Sequence, residues 1–308
     1  MPMNPSQVRV IDPVLTTVLQ GYRQPGLVGE ALFPRVPVRL AGGQVLEFDK
    51  SAFKLYNTQR APGTAKKRVT FGYAGKPYAL ELHSLEAPVP IQSQRDAAIM
   101  PGVDLGSRAV RLTLAPTLLA LESQQATLAT TAANYDASHK VALAGATQWS
   151  AATGTPGPDI EAGREAIRAS VGMRPNVMLC SAVAWKALRN NVNVIDRFKY
   201  TDKQSITTDM VANLFDLDKI VVGDAIVADD AGAFTDVWGN NAILAYVPKI
   251  AQAMEEPSYG YTYTMEGHPQ VLSPYFEQQT ESWIYGVNFE RVAVLTAITS
   301  GYLIQNPN

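Results

Sequence analysis

One cysteine in 308 residues, Cys180, leaves no internal disulfide to form and no multi-cysteine metal site to build; within the apolar run NVMLCSAVAW it reads as a small buried hydrophobe. Histidine is almost as scarce. His83, His139 and His268 share no HxH or HExxH spacing, so each reads as structural or exposed, and acid–base or metal chemistry has little to draw on. No run approaches the roughly 18 uninterrupted apolar residues of a membrane span, so none is expected. The opening MPMNPSQVRV has neither the charged nor the apolar section of a signal peptide, which makes a cytoplasm the expected place of synthesis and use. A GxxxxGK[ST] phosphate loop, a GxGxxG turn after a strand and a GxSxG nucleophile elbow are missing as well. So is charge of one sign: 26 basic against 28 acidic residues leave a net charge of -2, unlike the one-signed field of a dedicated nucleic-acid binder.

What is present is a sizeable apolar fraction, 46%, enough for one large or two medium domains. Residues 104–135 carry the longest pattern. Asp104 follows the breaker pair Pro101-Gly102 as an N-cap, and Leu105, Ala109, Leu112, Leu119, Ala126 and Ala133 recur as one face of a helix. A second row, Leu114, Leu118, Leu121, Leu128 and Ala132, widens the stripe, so the helix is expected to be covered on more than one side. At about 1.5 Å per residue it runs roughly 45 Å, the length of a spine. Pro116 lies inside it, and a kink or break is expected there.

The chain before this helix opens on an aperiodic arm. Asp12, Pro13, Val14, Leu15, Val18 and Leu19 then predict one short helix ended by Gly21. PRVPVRL and QVLEFDK are extended runs around Ala41-Gly42-Gly43, a hairpin signal. Between positions 50 and 76 stand seven cations and no acid: Lys50, Lys54, Arg60, Lys66, Lys67, Arg68 and Lys76. Tyr56, Phe71 and Tyr73 are few and irregular beside them, so a solvated loop, or an arm docking on acidic surface of another subunit, fits better than strand binding to nucleic acid. The run VTFGYAGKPYALELHSLEAPVP alternates as strands, with Tyr78, Leu80 and Leu82 on one face and Ala79, Glu81 and His83 on the other, which makes His83 an exposed strand residue.

After the long helix, WSAATGTPGPD is a connector, and Asp159 caps a helix whose face is Ile160, Gly163, Ile167 and Val171, ended by Gly172. NVMLC predicts a buried strand, Ser181 caps a helix carrying Val183, Trp185 and Leu188, Thr208 caps another, and KIVVG and AILAYV predict further strands. Helices and strands alternate from 159 to 247 as an α/β unit requires. The end of the chain is different: YGYTYTM, 281–290 and 292–304 read as long extended segments. The acidic cluster Asp216, Asp218, Asp224, Asp229 and Asp230 surrounds KIVVG without calcium-loop spacing, and reads as solvated loops before it reads as a cation site. Cys180 has no base beside it. Neither catalytic, cofactor nor metal residues are assigned.

The series NVMLCSAVAWKALRNNVNVIDRFKY, TTDMVANLFDLDKIVVGDAIVA, DVWGNNAILAYVP and EPSYGYTYT resembles, in order and spacing, the major capsid proteins of tailed bacteriophages, which share the Hong Kong ninety-seven-like coat fold. The resemblance implies an α+β chain: an N-terminal arm (1–33), an extended β-hairpin loop (34–76), a peripheral domain with the spine helix and long strands (77–140 and 248–290), an axial α/β domain (141–247) and a C-terminal strand (291–308). It implies a coat protein that assembles through hexamers and pentamers into an icosahedral head around double-stranded DNA, with no cofactor and no membrane. Partners implied are other copies of the chain, a scaffolding protein, the portal and a decoration protein, with DNA held only by loose non-specific contact. The place implied is the virion, after assembly in the host cytoplasm. Some relatives crosslink through a lysine and an asparagine; Lys50, Lys54, Lys66 and Asn57 are present, but no motif assigns such a bond. An encapsulin-type cellular compartment, a metal-dependent enzyme using the cluster around Asp224, and a nucleic-acid-binding module using 50–76 stay open as alternatives.

Overall fold

The computed structural model describes residues 11–12, 15–16, 26–46, 59, 75–98, 104–198, 206–249 and 258–308. In chain order, β1 (Arg35–Val38), β2 (Gly42–Leu46), β3 (Gly75–Ala79) and β4 (Glu81–Pro90) precede helices α1 (Ile91–Ala98) and α2 (Leu105–Thr130). Then come β5 (Lys140–Ala142), α3 (Pro156–Val171), β6 (Val177–Ser181), α4 (Ala182–Asn190), α5 (Val192–Phe198), α6 (Thr208–Leu214), β7 (Lys219–Gly223), β8 (Ile226–Ala228), β9 (Phe234–Asp236) and β10 (Asn241–Ala245). The chain closes with β11 (Gly260–Met265), β12 (Gln270–Val271), β13 (Tyr275–Glu277), β14 (Ser282–Leu295) and β15 (Gly301–Gln305).

These strands build two main sheets. One has six strands around β14, with β4 along one side of it and β11, β12 and β13 along the other, and β1 beyond β11. The other has five, in the order β5-β15-β10-β6-β7. Its strands are apolar at successive positions because both faces are covered. Met178, Cys180, Ala242, Leu244 and Ile304 meet Ile160, Ile167, Leu188 and Val211 from α3, α4 and α6, while Val177, Leu179, Ile243, Ala245 and Leu303 form the opposite face.

Helix α2 packs on both sheets. Over its first two-thirds Val110, Leu114, Leu118 and Leu121 pack with Val287 and Phe289 of the six-stranded sheet, and near its end Ala126 and Ala129 pack with Val177, Leu179 and Ile243 of the five-stranded one. The cap is as expected: the Asp104 carboxylate accepts from Gly106 N at 2.9 Å and from the Ser107 hydroxyl, which holds its pKa below the ordinary carboxylate range. The face is not. Leu112 is 70% exposed, and the buried stripe instead includes Thr113, Thr117, Glu122 and Gln125. Nor does Pro116 end the helix, which stays α-helical across it. Pro116 and Leu112 lie on the exposed face, so the Leu112 carbonyl that loses its i+4 donor is left beside water rather than buried.

Several other expectations are corrected. The two runs around Ala41-Gly42-Gly43 do not pair with each other: β1 joins β11 in parallel, with Val36 opposite Tyr263, while β2 pairs antiparallel with β3. The alternation of Val36 and Val38 toward Tyr261 and Tyr263 draws β1 into the six-stranded sheet and out of the expected loop. Alternation does not run on through Leu80, which stands between β3 and β4; Tyr78 stacks on Tyr263 but Leu82 is 58% exposed. His83 is half-buried opposite Phe289. Helix α3 starts at Pro156 with Thr155 as N-cap, and Asp159 instead accepts from Trp149 Nε1 at 2.8 Å; the cap of α6 is Thr207. The segment 291–308 is not one strand. Arg291 lies inside β14, the break falls at 296–300, and β15 crosses to the five-stranded sheet.

Candidate assembly surface

Six of the seven cations, Lys50, Lys54, Arg60, Lys66, Lys67 and Arg68, lie outside the described residues, as does Asn57. Lys76 is in β3, with its backbone opposite Val45. What is described is the base from which this stretch leaves and to which it returns. The ladder runs from Gly42 opposite Ala79 to Leu46 opposite Gly75, so the chain leaves and re-enters the described residues on two neighbouring strands. The base is anchored by Tyr78, whose ring stacks on Tyr263 at 4.5 Å and 12°. Gly43 is required by this close approach: a Cβ there would stand 2.8 Å from the Tyr78 ring. Tyr261, Val36, Val38, Val292 and Val294 complete the apolar floor, and burial pushes the Tyr263 hydroxyl up to about 12.

The expected acidic cluster does not converge. Asp216 accepts from Arg164 at 3.0 Å and lies 3.5 Å from Arg174; Asp218 pairs with Lys249 at 3.1 Å; Asp229 accepts from Ala233 N at 2.8 Å in the β8–β9 turn. Among the described residues no group of three or more His, Cys, Asp or Glu is placed to hold a metal ion. The histidines are scattered: His139 is buried with Ser138 and Ser170 hydroxyls at its two ring nitrogens, His268 accepts from Glu290 N, and His83 has Glu81 at 3.8 Å. Burial lowers the pKa of His83 and His268. Cys180 is fully buried, its thiol pushed up to about 12 by desolvation.

Two buried charges on α2 and β14 escaped the sequence reading. Glu122, 3% exposed, accepts from Val28 N at 2.9 Å, from Gly29 N at 3.0 and 2.9 Å, and from Trp238 Nε1 at 2.8 Å. One carboxylate thus ties the segment before β1, the long helix and the turn before β10. Burial raises its pKa in spite of those three donors. Arg291 is fully buried, donates to Gln124 Oε1 at 2.6 Å and to the Thr117 carbonyl at 3.1 Å, and lies 5.3 Å from the Phe289 ring centroid. Burial, reinforced by Arg35, lowers it to about 10. The only prior signal for either was a polar residue at a core-facing helical or strand spacing.

The family model described as phage major capsid protein E matches residues 122–275. Over 308 residues the chain is 35% identical to the "Major capsid protein" of Burkholderia phage BcepMu, covering 98% of each. The chain belongs to the phage major capsid protein E family. It is also 44% identical to a phage-related protein of Bordetella bronchiseptica RB50 whose crystal structure superposes with a TM-score of 0.83 over 98% of this chain and 99% of that one. The capsid of cyanophage P-SCSP1u, 9% identical with a TM-score of 0.58 over 92% and 89% of the two chains, shares the fold alone, the Hong Kong ninety-seven-like coat fold. Within this capsid protein family match lie Glu122, Trp238 and β11, whereas the cationic stretch 50–76 falls before it.

Proposed function

We propose that this chain is the major coat protein of a tailed-phage head, assembling through hexamers and pentamers into an icosahedral shell around double-stranded DNA. The observation that carries the reading, beyond family membership, is one helix packed on two sheets beside a two-stranded ribbon, β2 with β3, anchored on the six-stranded sheet through Tyr78 and Tyr263. Two sheets fixed to one another by one helix suit a shell subunit, since many individually weak contacts sum to a stable closed assembly while each can be corrected.

In this reading residues 1–33 act as an arm and residues 34–76, apart from β1, as an extended loop. Residues 77–140 with 248–290 act as the peripheral part, and 141–247 as the axial part around the capsomer centre. Lys50, Lys54, Arg60, Lys66, Lys67, Arg68 and Lys76 contact acidic surface of an adjacent subunit. A scaffolding protein, a portal and a decoration protein complete the head, which assembles in the host cytoplasm and persists in the virion. The role is structural rather than catalytic. A net charge of -2 supports only loose contact with packaged DNA, so subunits should bind duplex weakly at physiological salt.

Negative-stain electron microscopy with sedimentation of the purified protein tests the reading. Shells, tubes, or rings of five and six support it; a small oligomer that never assembles, even with crowding or a scaffold, refutes it. Reversing Lys66, Lys67 and Arg68 to glutamate should lower shell yield, and unchanged yield would remove the loop contact.

A further inference from the structure

Among the described residues the second-longest strand of the six-stranded sheet, β4, is paired on one side only. Its ten residues run antiparallel to β14, and among the described residues nothing pairs with the other side. Which backbone groups face outward follows from β14. There the Gly286 carbonyl accepts from Leu272 N at 2.9 Å and Glu290 N donates to His268 Nδ1 at 3.1 Å, so these even-numbered residues turn their polar groups away from β4. Gly286 stands opposite Glu86, Asn288 opposite Ser84 and Glu290 opposite Leu82. These are therefore the non-hydrogen-bonded pairs of the ladder, and Leu82, Ser84 and Glu86 point N–H and C=O outward. Pro88 and Pro90 fall in the same outward set, where a missing N–H costs the ladder nothing.

The edge from Leu82 to Pro88 thus offers roughly 20 Å of backbone that no described residue pairs, at about 3.3 Å per residue. Its side chains have a definite character. Leu82 and Leu85 are 58% and 44% exposed, Glu81 and Glu86 are exposed, and β4 carries no lysine or arginine. The chain itself contains the complementary sequence: residues 66–73, KKRVTFGY, join three cations to Val, Thr, Phe and Tyr, residue types that favour strands, with no acid.

We propose that the open edge of β4 is an assembly site that residues 66–73 of a second copy enter as an added strand. Backbone pairing supplies the contact, and Lys66, Lys67 and Arg68 against Glu81 and Glu86 favour the right segment. An edge on one subunit filled by a segment of the next is a head-to-tail contact, the kind that closes into rings. The proposal rests on the coat-protein reading and names the surface that receives the loop.

Cysteine pairing tests it in the full chain, because Cys180 is buried and will not compete. Ser84→Cys chains are co-assembled with chains carrying Val69→Cys, Thr70→Cys or Phe71→Cys, taken singly so that register does not decide the outcome, then oxidised and run without reductant. At least one mixture should give heterodimers in shells and none in unassembled protein. Normal shells without heterodimer in all three mixtures would overturn the proposal and leave the coat reading standing; failure of the unmodified chain to assemble would overturn that reading instead. A second variant, Ser84→Pro, removes one outward N–H at a position in register with Pro88 and Pro90. It should keep its circular dichroism spectrum and melting temperature while shell yield falls at least tenfold, and a folded variant within twofold of the unmodified yield would also overturn the proposal.

Discussion

Replacing Glu122 probes the junction between the two sheets. Glu122→Ala strands two buried donors, Gly29 N and Trp238 Nε1, each of which then bears an unsatisfied desolvation cost of about 1–3 kcal/mol, and the half-buried Val28 N at a smaller cost. The expected loss is about 3–6 kcal/mol, a large part of the roughly 5–15 kcal/mol that holds a domain folded. Glu122→Gln keeps one acceptor oxygen and should lose less than half as much. The pH dependence separates the effect of charge from that of shape. Because burial raises the folded pKa of Glu122, the group's contribution is full below the unfolded value and declines as pH rises through the folded one. The advantage of the unmodified chain over Glu122→Gln should therefore be largest in acid and shrink toward neutrality, other titrating groups cancelling in the difference. Denaturant unfolding followed by far-ultraviolet circular dichroism at several pH values measures it, with hydrogen exchange at Val28 and Gly29 as a local readout. A Glu122→Ala variant within about 0.5 kcal/mol of the unmodified chain, with unchanged exchange at both amides, would refute the reasoning, since surface-like substitutions stay in that range.

Pro116→Ala restores a helical N–H on an exposed face and should stabilise the chain by about 1–3 kcal/mol, seen as a higher unfolding midpoint. Gly43→Val places a side chain where the Tyr78 ring lies, and should cost about 0.5–1.5 kcal/mol of stacking and weaken the tyrosine signal in near-ultraviolet circular dichroism. Cys180, fully buried with its thiol pushed up to about 12, should resist thiol reagents at pH 8 in the native chain and react fully once unfolded.

Elements that bury both faces were the most legible in sequence. NVMLC and AILAYV became β6 and β10 because a strand covered on two sides must be apolar at every position. The long helix was legible as an element but only in part as a face. Its buried stripe passes through Thr113, Thr117, Glu122 and Gln125, and a reading that counts only apolar residues substitutes Leu112, which is exposed. Here Thr113 and Thr117 satisfy their hydroxyls on carbonyls of the preceding turn, Gln125 donates to Thr262 at 2.8 Å, and each is thereby affordable in the core. The parallel pairing of β1 with β11 was beyond reach for another reason: Arg35 and Thr262 are far apart along the chain, and no local turn chemistry encodes the register. The cationic stretch was plain in the sequence, but a charge run names no partner, and the open edge of β4 emerges only when the ladder assigns which amides point outward.

Glu122 and Arg291 also explain why a coat subunit would tolerate buried charge. Replacing such groups by well-packed hydrophobes is often neutral or stabilising, so their presence is weak support for stability as such. Their geometry supports another role. Arg291 reaches from β14 to Gln124 and the Thr117 carbonyl, fixing the rotation and register of α2 on the six-stranded sheet, and Glu122, two residues before Gln124 and five after Thr117, fixes the same helix to Trp238 beside β10 and to the segment leading into β1. Apolar contacts alone allow a helix to roll or slide by fractions of a turn, because burial is non-directional; hydrogen bonds to a guanidinium and a carboxylate do not. In an isolated protein a small error in the angle between two sheets costs little. In the proposed shell the same error would recur in every copy and displace the edge of β4 relative to the strand proposed to enter it, so the directional bonds at the junction would serve the closure of the assembly as well as the stability of the monomer.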